Sequence, residues 1–401
     1  MNNVSAGSNI TQLSVTDPLD LREIILNTQE PLRVKDQIKC DLISWNLDKW
    51  NEELGNEQLQ FRCGKNLYTK DPQWESTCLT KQATFADFLK HIQMRNPTRW
   101  WYFDYKYLCQ WFTEKTSLMG KIDWSSLGFP ELSSNDTTIW IGSKGAHTPC
   151  HVDTYGCNII LQIYGRKQWF LFAPEQNLKP TRIPFEESSI YSKLNFFSPN
   201  EEKFKGISHC HKVVLSPGEV LIVPNKWWHY VENLDTAISI NAWIPLPQDE
   251  YERIKEGVAA IFTGKMVQNN TALQKIILNP NMATEMIRSE DALKIIALST
   301  EKYKPKNKFS RTEVEKIKLK METKDVDSLM FKYCNIIKIP VLTEEEFRTS
   351  LAEQAARFKH VRPRDQQKTN DTENKNLIDF LEVVTDDEVL DLIARKLVEK
   401  I

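Results

Sequence analysis

Several familiar sequence features are missing from this chain of 401 residues. No two of its 8 cysteines are spaced as in a zinc or dithiol motif, and no apolar run is long enough to cross a membrane. The first residues, MNNVSAGSNI, also lack the basic segment and apolar run of a secretory signal. We therefore expect reduced cysteines packed as small apolar side chains in a cytoplasmic protein, with the nucleus as the alternative location.

An excess of charge of one sign is also absent, since 52 basic residues are balanced by 54 acidic ones and the net charge is -2. This balance gives no overall attraction to nucleic acid or to an anionic membrane surface, so we expect neither as a partner. Apolar residues make up 41% of the chain and charged residues 26%, as in an ordinary globular protein. The length allows one large domain with an extension, or two domains.

The pattern along the chain changes near residues 131 and 247. Residues 1–20 are polar and predict a flexible N-terminus, and 21–130 predict a mixed α/β lead-in. The segment 131–247 carries short runs rich in Ile, Val, Trp and Phe, with turns between them. These runs predict strands over 137–141, 157–163, 168–173, 212–215, 219–224, 229–232 and 237–244. The spacing indicates a mainly β core of the double-stranded β-helix (jelly-roll or cupin) type.

The remaining segment, 248–401, shows apolar residues at helical spacing and predicts a helical C-terminal extension. The predicted helices of the chain cover 20–27, 84–93, 248–264, 271–279, 282–299, 311–322, 325–338, 343–359 and 376–400. We expect the extension to pack on the β core, with a dimerisation or partner surface as the alternative. The run 100–107 fits either a strand or a turn.

A pattern typical of a metal site lies within the predicted β core. His151 and Asp153 are two residues apart, so on a strand their side chains project from the same face, and His229 follows a later predicted strand. Two imidazoles and one carboxylate can hold one divalent metal and leave open positions, as in non-haem iron(II) oxygenases. Structural histidines beside a turn aspartate are the alternative interpretation.

The surrounding residues resemble the JmjC domain of iron(II)- and 2-oxoglutarate-dependent oxygenases. The matching blocks, in chain order, are Thr148-Pro149-x-His151-x-Asp153, Asn158, Gly165-x-Lys167-x-Trp169, Pro217-Gly218 followed by Pro224 and Trp227-Trp228-His229, and Ser239-x-Asn241-x-Trp243. The match covers about a quarter of the chain, over residues 140–244. It implies a JmjC double-stranded β-helix over 131–247 with iron(II), 2-oxoglutarate and dioxygen as cofactor and cosubstrates.

The resemblance also implies a role for each matched residue. His151, Asp153 and His229 would be the metal ligands and hence the catalytic centre. The 2-oxoglutarate pocket would be formed by Lys167 and Thr148 at the far carboxylate, by Asn158 and Asn241, and by Tyr102 in preference to Tyr105 or Tyr107. One departure is that Asn158 lies seven residues after the first histidine, where the family commonly has six.

A second resemblance covers about residues 95–260 and rests on Asp153–Asn158 and on the run Thr181–Ser189. It is to JmjC proteins described as associated with a small heat shock protein, and it implies such a chaperone as a partner. The function expected first is therefore a 2-oxoglutarate oxygenase, as a protein hydroxylase. The alternatives are an N-methyl lysine demethylase, a scaffold that binds the chaperone with little turnover, and a cupin that is not an oxygenase. A homodimer through the C-terminal helices is a further expectation.

Overall fold

The computed structural model describes residues 12–180, 189–268, 287–303, 326–358 and 375–400. The predicted helices over 271–279 and 311–322 lie outside these residues, as does most of the run Thr181–Ser189. None of the described helices is long and apolar enough to cross a membrane.

Two antiparallel sheets form the centre of the fold. Their strands are β1 (Leu32–Val34), β2 (Gln58–Lys65), β3 (Leu79–Thr84), β4 (Arg99–Tyr107), β5 (Thr138–Gly142), β6 (His147–Asp153), β7 (Cys157–Tyr164), β8 (Lys167–Phe172), β9 (Ser189–Tyr191), β10 (His211–Leu215), β11 (Val220–Val223), β12 (Trp228–Asn233), β13 (Ala237–Ile244) and β14 (Ile336–Lys338). The larger sheet has the order β14-β1-β11-β7-β13-β5-β4-β2-β3, and the smaller one β10-β8-β12-β6-β9. The strands predicted between 137 and 244 are confirmed, and the run 100–107 is a strand.

The β-rich segments form a sandwich because their side chains alternate between two apolar environments. In β7, Ile159 and Leu161 belong to the cluster on the outer face of the larger sheet, whereas Ile160 belongs to a cluster shared by both sheets. Strand β11 repeats this alternation at Val220 and Leu221. Both faces of the larger sheet are thus buried at β7 and β11, and the double-stranded β-helix core predicted from the sequence is confirmed.

Helices cover the sandwich on its outer faces and extend beyond it. They are α1 (Pro18–Asn27), α2 (Leu47–Leu54), α3 (Phe85–Ile92), α4 (Leu108–Trp111), α5 (Thr116–Met119), α6 (Asp249–Val267), α7 (Ser289–Tyr303), α8 (Val326–Phe331), α9 (Glu344–Ala356), α10 (Lys375–Val384) and α11 (Asp387–Lys400). Short 3₁₀ turns lie at Asp41–Ser44, Glu75–Thr77, Ser125–Leu127, Ser134–Asp136 and Glu201–Phe204. Capping boxes begin α3 at Thr84 and α9 at Thr343. In each, the threonine hydroxyl and the carboxylate of the third helical residue accept hydrogen bonds from free N–H groups of the first turn.

Two of the helices predicted in the C-terminal region are wrong in part. The helix predicted over 325–338 ends at Phe331, and Ile336–Lys338 is instead strand β14, paired with β1. The predicted helix 376–400 is two helices that meet at Thr385 and Asp386. The Asp386 carboxylate there accepts a hydrogen bond from the N–H of Glu388, which starts the second helix.

The C-terminal region contributes to the core as well as extending from it. Strand β14 lengthens the larger sheet, and the carbonyl of Ile339 lies 2.7 Å from Nδ1 of His211 at the start of β10. Phe347 and Leu351 of α9 pack in the cluster that covers the outer face of the smaller sheet. By contrast, α6, α7 and α11 share a separate apolar cluster that includes Ile254. The segment from Ile336 to Phe358 is therefore an integral part of the sandwich.

The N-terminal end is held against the same region. Leu13 forms a bridge with Tyr333, and the Thr16 hydroxyl donates to the side chain of Asn335 at 2.8 Å. Residues 12–20 of the predicted flexible segment thus carry specific contacts, and α1 begins at Pro18.

Candidate metal centre

The three predicted metal ligands lie together on neighbouring strands of the smaller sheet. His151 and Asp153 are on β6, and His229 is on β12 directly opposite His151 in the antiparallel register. The two imidazole centroids are 4.1 Å apart, and one ligand atom from each of the three residues lies within 4.8 Å of the others. All three are at least largely buried. They form the only such group of metal-ligating side chains among the described residues.

Backbone carbonyl groups fix the orientation of both imidazoles. Nδ1 of His151 lies 2.9 Å from the carbonyl oxygen of Pro149, and Nδ1 of His229 lies 2.9 Å from that of Trp227. Each Nδ1 therefore carries the proton that it donates, which leaves the lone pair on Nε2 for a metal. Burial lowers the pKa of His229 to about 4, so this ring is neutral at neutral pH.

The Asp153 carboxylate faces the two imidazoles. Its Oδ1 lies 3.5 Å from Nε2 of His151, and its Oδ2 lies 3.8 Å from Nε2 of His229. Burial alone would raise the pKa of this carboxyl group, but the two imidazoles and the indole N–H of Trp243 hold it below its usual range. The site therefore offers two imidazole nitrogens and one carboxylate oxygen, a donor set that suits a divalent transition metal.

Lys167 begins strand β8 and points its amine into the interior. Its side chain is 2% exposed, and Nζ donates to Ser239 Oγ at 2.7 Å and to the Tyr102 hydroxyl at 3.2 Å. Burial lowers the pKa of the amine to about 7, and the charge of Asp104 offsets this effect only in part. A buried amine with no carboxylate in contact with it can bind the carboxylate of a ligand.

Thr148 adds an unsatisfied donor to the same pocket. Its hydroxyl is buried next to the phenol of Tyr102, and no atom meets it with hydrogen-bond geometry. Of the three tyrosines considered from the sequence, Tyr102 is buried against Lys167, whereas Tyr105 lies in the bulge of β4 and Tyr107 lies beyond it. The structure thus brings together Thr148, Lys167 and Tyr102, as the resemblance implies. The hydroxyl of Thr148 is free to donate a hydrogen bond.

The two predicted asparagines link the metal site to the larger sheet. Asn158 Nδ2 donates to Asp153 Oδ2 at 3.1 Å, and Asn158 Oδ1 accepts from Asn241 Nδ2 at 2.8 Å. The extra residue before Asn158 is taken up in a turn at Gly156, which has φ 73° and a backbone N–H that donates to Asp249. The seven-residue spacing from His151 to Asn158 therefore still places the amide of Asn158 beside the carboxylate of Asp153.

Other residues of the site were not assigned a role from the sequence. Ser239 contacts Lys167, and its place two residues before Asn241 on β13 was the available signal. Arg62 pairs with the buried Asp104 at 2.6 Å and packs over the Tyr102 ring at 5.7 Å. This ion pair joins β2 to β4, and no local sequence pattern predicts it.

These residues fit iron(II) and 2-oxoglutarate. The triad places three ligand atoms within 4.8 Å of one another. The unpaired Thr148 hydroxyl and the amine of Lys167 are two donors that a carboxylate of the cosubstrate would satisfy. The fold and this arrangement are those of a cupin with a two-histidine, one-carboxylate centre.

Comparison with known proteins agrees with this class. The profile of the cupin-like domain family matches residues 21–248, which is more than half of the chain. The chain therefore belongs to the cupin-like domain family, and its JmjC-type character, predicted from the sequence, is confirmed.

Among its relatives is HSPB1-associated protein 1 of Homo sapiens, which is 40% identical over 295 residues. That alignment covers 67% of this chain and 59% of the human protein, so the chain spans less than two thirds of this relative. Lysine-specific demethylase 8 of Xenopus tropicalis is 35% identical over 127 residues, covering 30% of this chain and 28% of that protein. JmjC domain-containing protein D of Dictyostelium discoideum is 34% identical over 106 residues, covering 25% and 23% respectively.

Proposed function

We propose that this chain is an iron(II)- and 2-oxoglutarate-dependent oxygenase, and that it acts as a protein hydroxylase. The observation that supports this most directly is the convergence of His151, Asp153 and His229 beside a buried amine and an unpaired hydroxyl. A cupin that bound only a metal would give neither Lys167 nor Thr148 a partner. The membership of the cupin-like family supports the same class of reaction.

The residues of the site would divide the work between metal and cosubstrate. Bound iron(II) and 2-oxoglutarate together supply dioxygen activation and C–H oxidation. His151, Asp153 and His229 hold the metal and leave its other positions open. Lys167 holds the far carboxylate of 2-oxoglutarate as an ammonium, and Thr148 donates a hydrogen bond to it.

Burial of the site also matters for the reaction. The side chains of Lys167 and His229 are 2% and 3% exposed, so the amine of Lys167 and the imidazole of His229 are shielded from water. In such surroundings the attraction between an ammonium and a carboxylate is stronger than at the surface. The protein thus orients the cosubstrate through few, well-fixed contacts.

The test is an anaerobic titration of the full chain with iron(II) and 2-oxoglutarate, followed by the visible charge-transfer absorption of the chelate. We expect the band in the wild type, its loss in His151→Ala and a weaker affinity for 2-oxoglutarate in Lys167→Met. The exposed His209 provides a matched control, because His209→Ala removes a histidine outside the triad and should keep the band. A folded wild type without the band would overturn the proposal.

The choice between hydroxylation and demethylation depends on the carbon that is oxidised. An N-methyl carbon leaves as formaldehyde after oxidation, whereas an oxidised side-chain carbon keeps its hydroxyl group. Relatives named as lysine-specific demethylases support demethylation as the second candidate. Mass spectrometry of candidate proteins after turnover separates the two, since hydroxylation adds one oxygen and demethylation removes one CH₂. Release of formaldehyde with loss of CH₂ would replace the hydroxylase assignment.

We also propose that the chain binds a small heat shock protein. The support is the name of two relatives that are 40% identical to it, HSPB1-associated protein 1 of Homo sapiens and of Rattus norvegicus. Binding of a purified small heat shock protein to the wild type and to His151→Ala, measured by sedimentation, tests this. Equal binding by both proteins would show a scaffold role separate from turnover. Absence of binding by both would overturn the proposal that the chain binds a small heat shock protein.

A further inference from the structure

Trp243 has a contact with the metal site that packing alone does not require. It is the penultimate residue of β13, and its indole Nε1 donates to Asp153 Oδ2 at 2.9 Å. Asn158 donates to the same oxygen at 3.1 Å. Oδ2 is therefore engaged by two N–H donors, whereas Oδ1 is turned to the imidazole of His151. The two donors together leave Oδ1 as the oxygen that is better able to bind a metal.

The ring of Trp243 is in turn supported by Tyr105. The two ring centroids are 5.6 Å apart, and Tyr105 also packs on Trp140 at 6.0 Å. Tyr105 remains 48% exposed, so its ring lies at the surface beside the metal site. Burial raises the pKa of its phenol, and the hydrogen bond with Tyr107 raises it further.

The backbone of Tyr105 is held in an unfavourable conformation. Its φ is 54°, in the left-handed region, at the bulge where the pairing of β4 with β5 shifts between Phe103 and Lys106. For a bulky residue this conformation is rare and costs about 1–3 kcal/mol, and such residues concentrate at functional sites. The same bulge turns Asp104 inward to its ion pair with Arg62.

We propose that Trp243 is a positioning residue for Asp153, and that Tyr105 holds its indole in place at the edge of the metal site. This inference rests on the metal centre of the proposed function. It adds the residues that determine which carboxylate oxygen of Asp153 binds the metal. Hydrogen bonds to a ligating carboxylate fix its direction, and their removal commonly weakens metal binding about 10- to 100-fold. The indole N–H, rather than the apolar ring alone, is then what the site needs.

The first test measures Mn(II) binding by the full chain, from the electron paramagnetic resonance signal of free Mn(II). Trp243→Phe keeps an aromatic ring and removes the N–H, and we expect its Kd for Mn(II) to rise by about tenfold. The matched control is Trp124→Phe, which removes a 2.9 Å indole hydrogen bond to Thr137, a residue outside the triad. Both variants lose one indole hydrogen bond and keep an aromatic ring, so a merely structural role predicts no change in either Kd. A Kd for Trp243→Phe within twofold of the wild type would overturn the inference.

The second test uses the backbone strain at Tyr105. Glycine adopts a positive φ readily, so Tyr105→Gly relieves strain while it removes the ring that supports Trp243. We expect the unfolding midpoint to change little and the Kd for Mn(II) to rise severalfold. Asp36→Gly is the control, because Asp36 is exposed with φ 53°, and its Mn(II) binding should equal that of the wild type. Unchanged Mn(II) binding by Tyr105→Gly would refute the role of this ring.

These results are distinct from a failure of the proposed function. If the wild type binds Mn(II) no better than His151→Ala does, the metal centre itself is refuted. The positioning role is then refuted with it. If the wild type binds Mn(II) and both variants bind it equally well, the centre stands and only the positioning role is refuted.

Discussion

Arg357, which follows helix α9, forms an ion pair with the buried carboxylate of Glu232 on β12, three residues after the proposed ligand His229. Glu232 also accepts hydrogen bonds from Tyr230 at 2.8 Å and from Gln354 at 2.9 Å. The strand that carries a proposed metal ligand is thereby tied to the C-terminal region. Removal of that region would expose the buried carboxylate of Glu232 on the strand that carries His229.

Loss of the arginine should destabilise the protein strongly. Glu232 is 1% exposed, so Arg357→Met leaves a buried charge without its partner, and we expect the free energy of unfolding to fall by about 3 kcal/mol. Urea denaturation followed by tryptophan fluorescence measures this. The double variant with Glu232→Gln removes the unpaired charge and should recover part of the loss. If Arg357→Met alone is as stable as the wild type, water screens the ion pair of Arg357 with Glu232.

The metal site and the C-terminal region differ in how far the sequence predicts them. His151 and Asp153 are two residues apart on one strand, so their common face follows from local geometry. The contact of Arg357 with Glu232 and the pairing of β14 with β1 join segments that are distant in the chain. Local periodicity contains no information on such pairings, which is why a helix was expected where β14 lies.

The same contrast holds within the cosubstrate pocket. Lys167 and Thr148 could be predicted from the resemblance, because both lie in blocks close to the ligands along the chain. The ion pair of Arg62 with Asp104 could not, since it depends on the bulge in β4 that turns the aspartate inward.

The affinity for 2-oxoglutarate should depend on pH through Lys167. Its pKa in the free protein is lowered to about 7, whereas a bound dicarboxylate favours the ammonium form. Binding above pH 7 therefore takes up a proton, and affinity should fall by up to about tenfold per pH unit above 7 and stay level just below it. Calorimetry in two buffers of different ionisation enthalpy measures the proton uptake. Lys167→Met should bind more weakly and lose this proton uptake; if it retains the uptake, another group is responsible.

Thr148→Val should affect stability and cosubstrate binding in opposite ways. The Thr148 hydroxyl is buried without a hydrogen-bond partner, so its replacement by a methyl group should leave the free energy of unfolding unchanged or raise it. The affinity for 2-oxoglutarate should fall by about 1 kcal/mol, or roughly fivefold, because the carboxylate loses one donor. Thermal unfolding and anaerobic titration provide the two readouts. Thr137→Val is a control for the loss of a buried hydroxyl outside the pocket, and it should lower stability without affecting the titration.

Metal binding should raise the stability of the whole sandwich, because the triad joins the adjacent strands β6 and β12. A ligand that binds only the folded state adds about 2.7 kcal/mol to the free energy of unfolding at a concentration 100 times its Kd. We therefore expect Mn(II) to raise the unfolding midpoint of the wild type, and EDTA to return it to the metal-free value. His151→Ala should show no such increase, whereas His209→Ala, with its exposed imidazole outside the triad, should respond like the wild type. An equal increase in His151→Ala would place the stabilising metal elsewhere on the protein and refute the assignment of this centre.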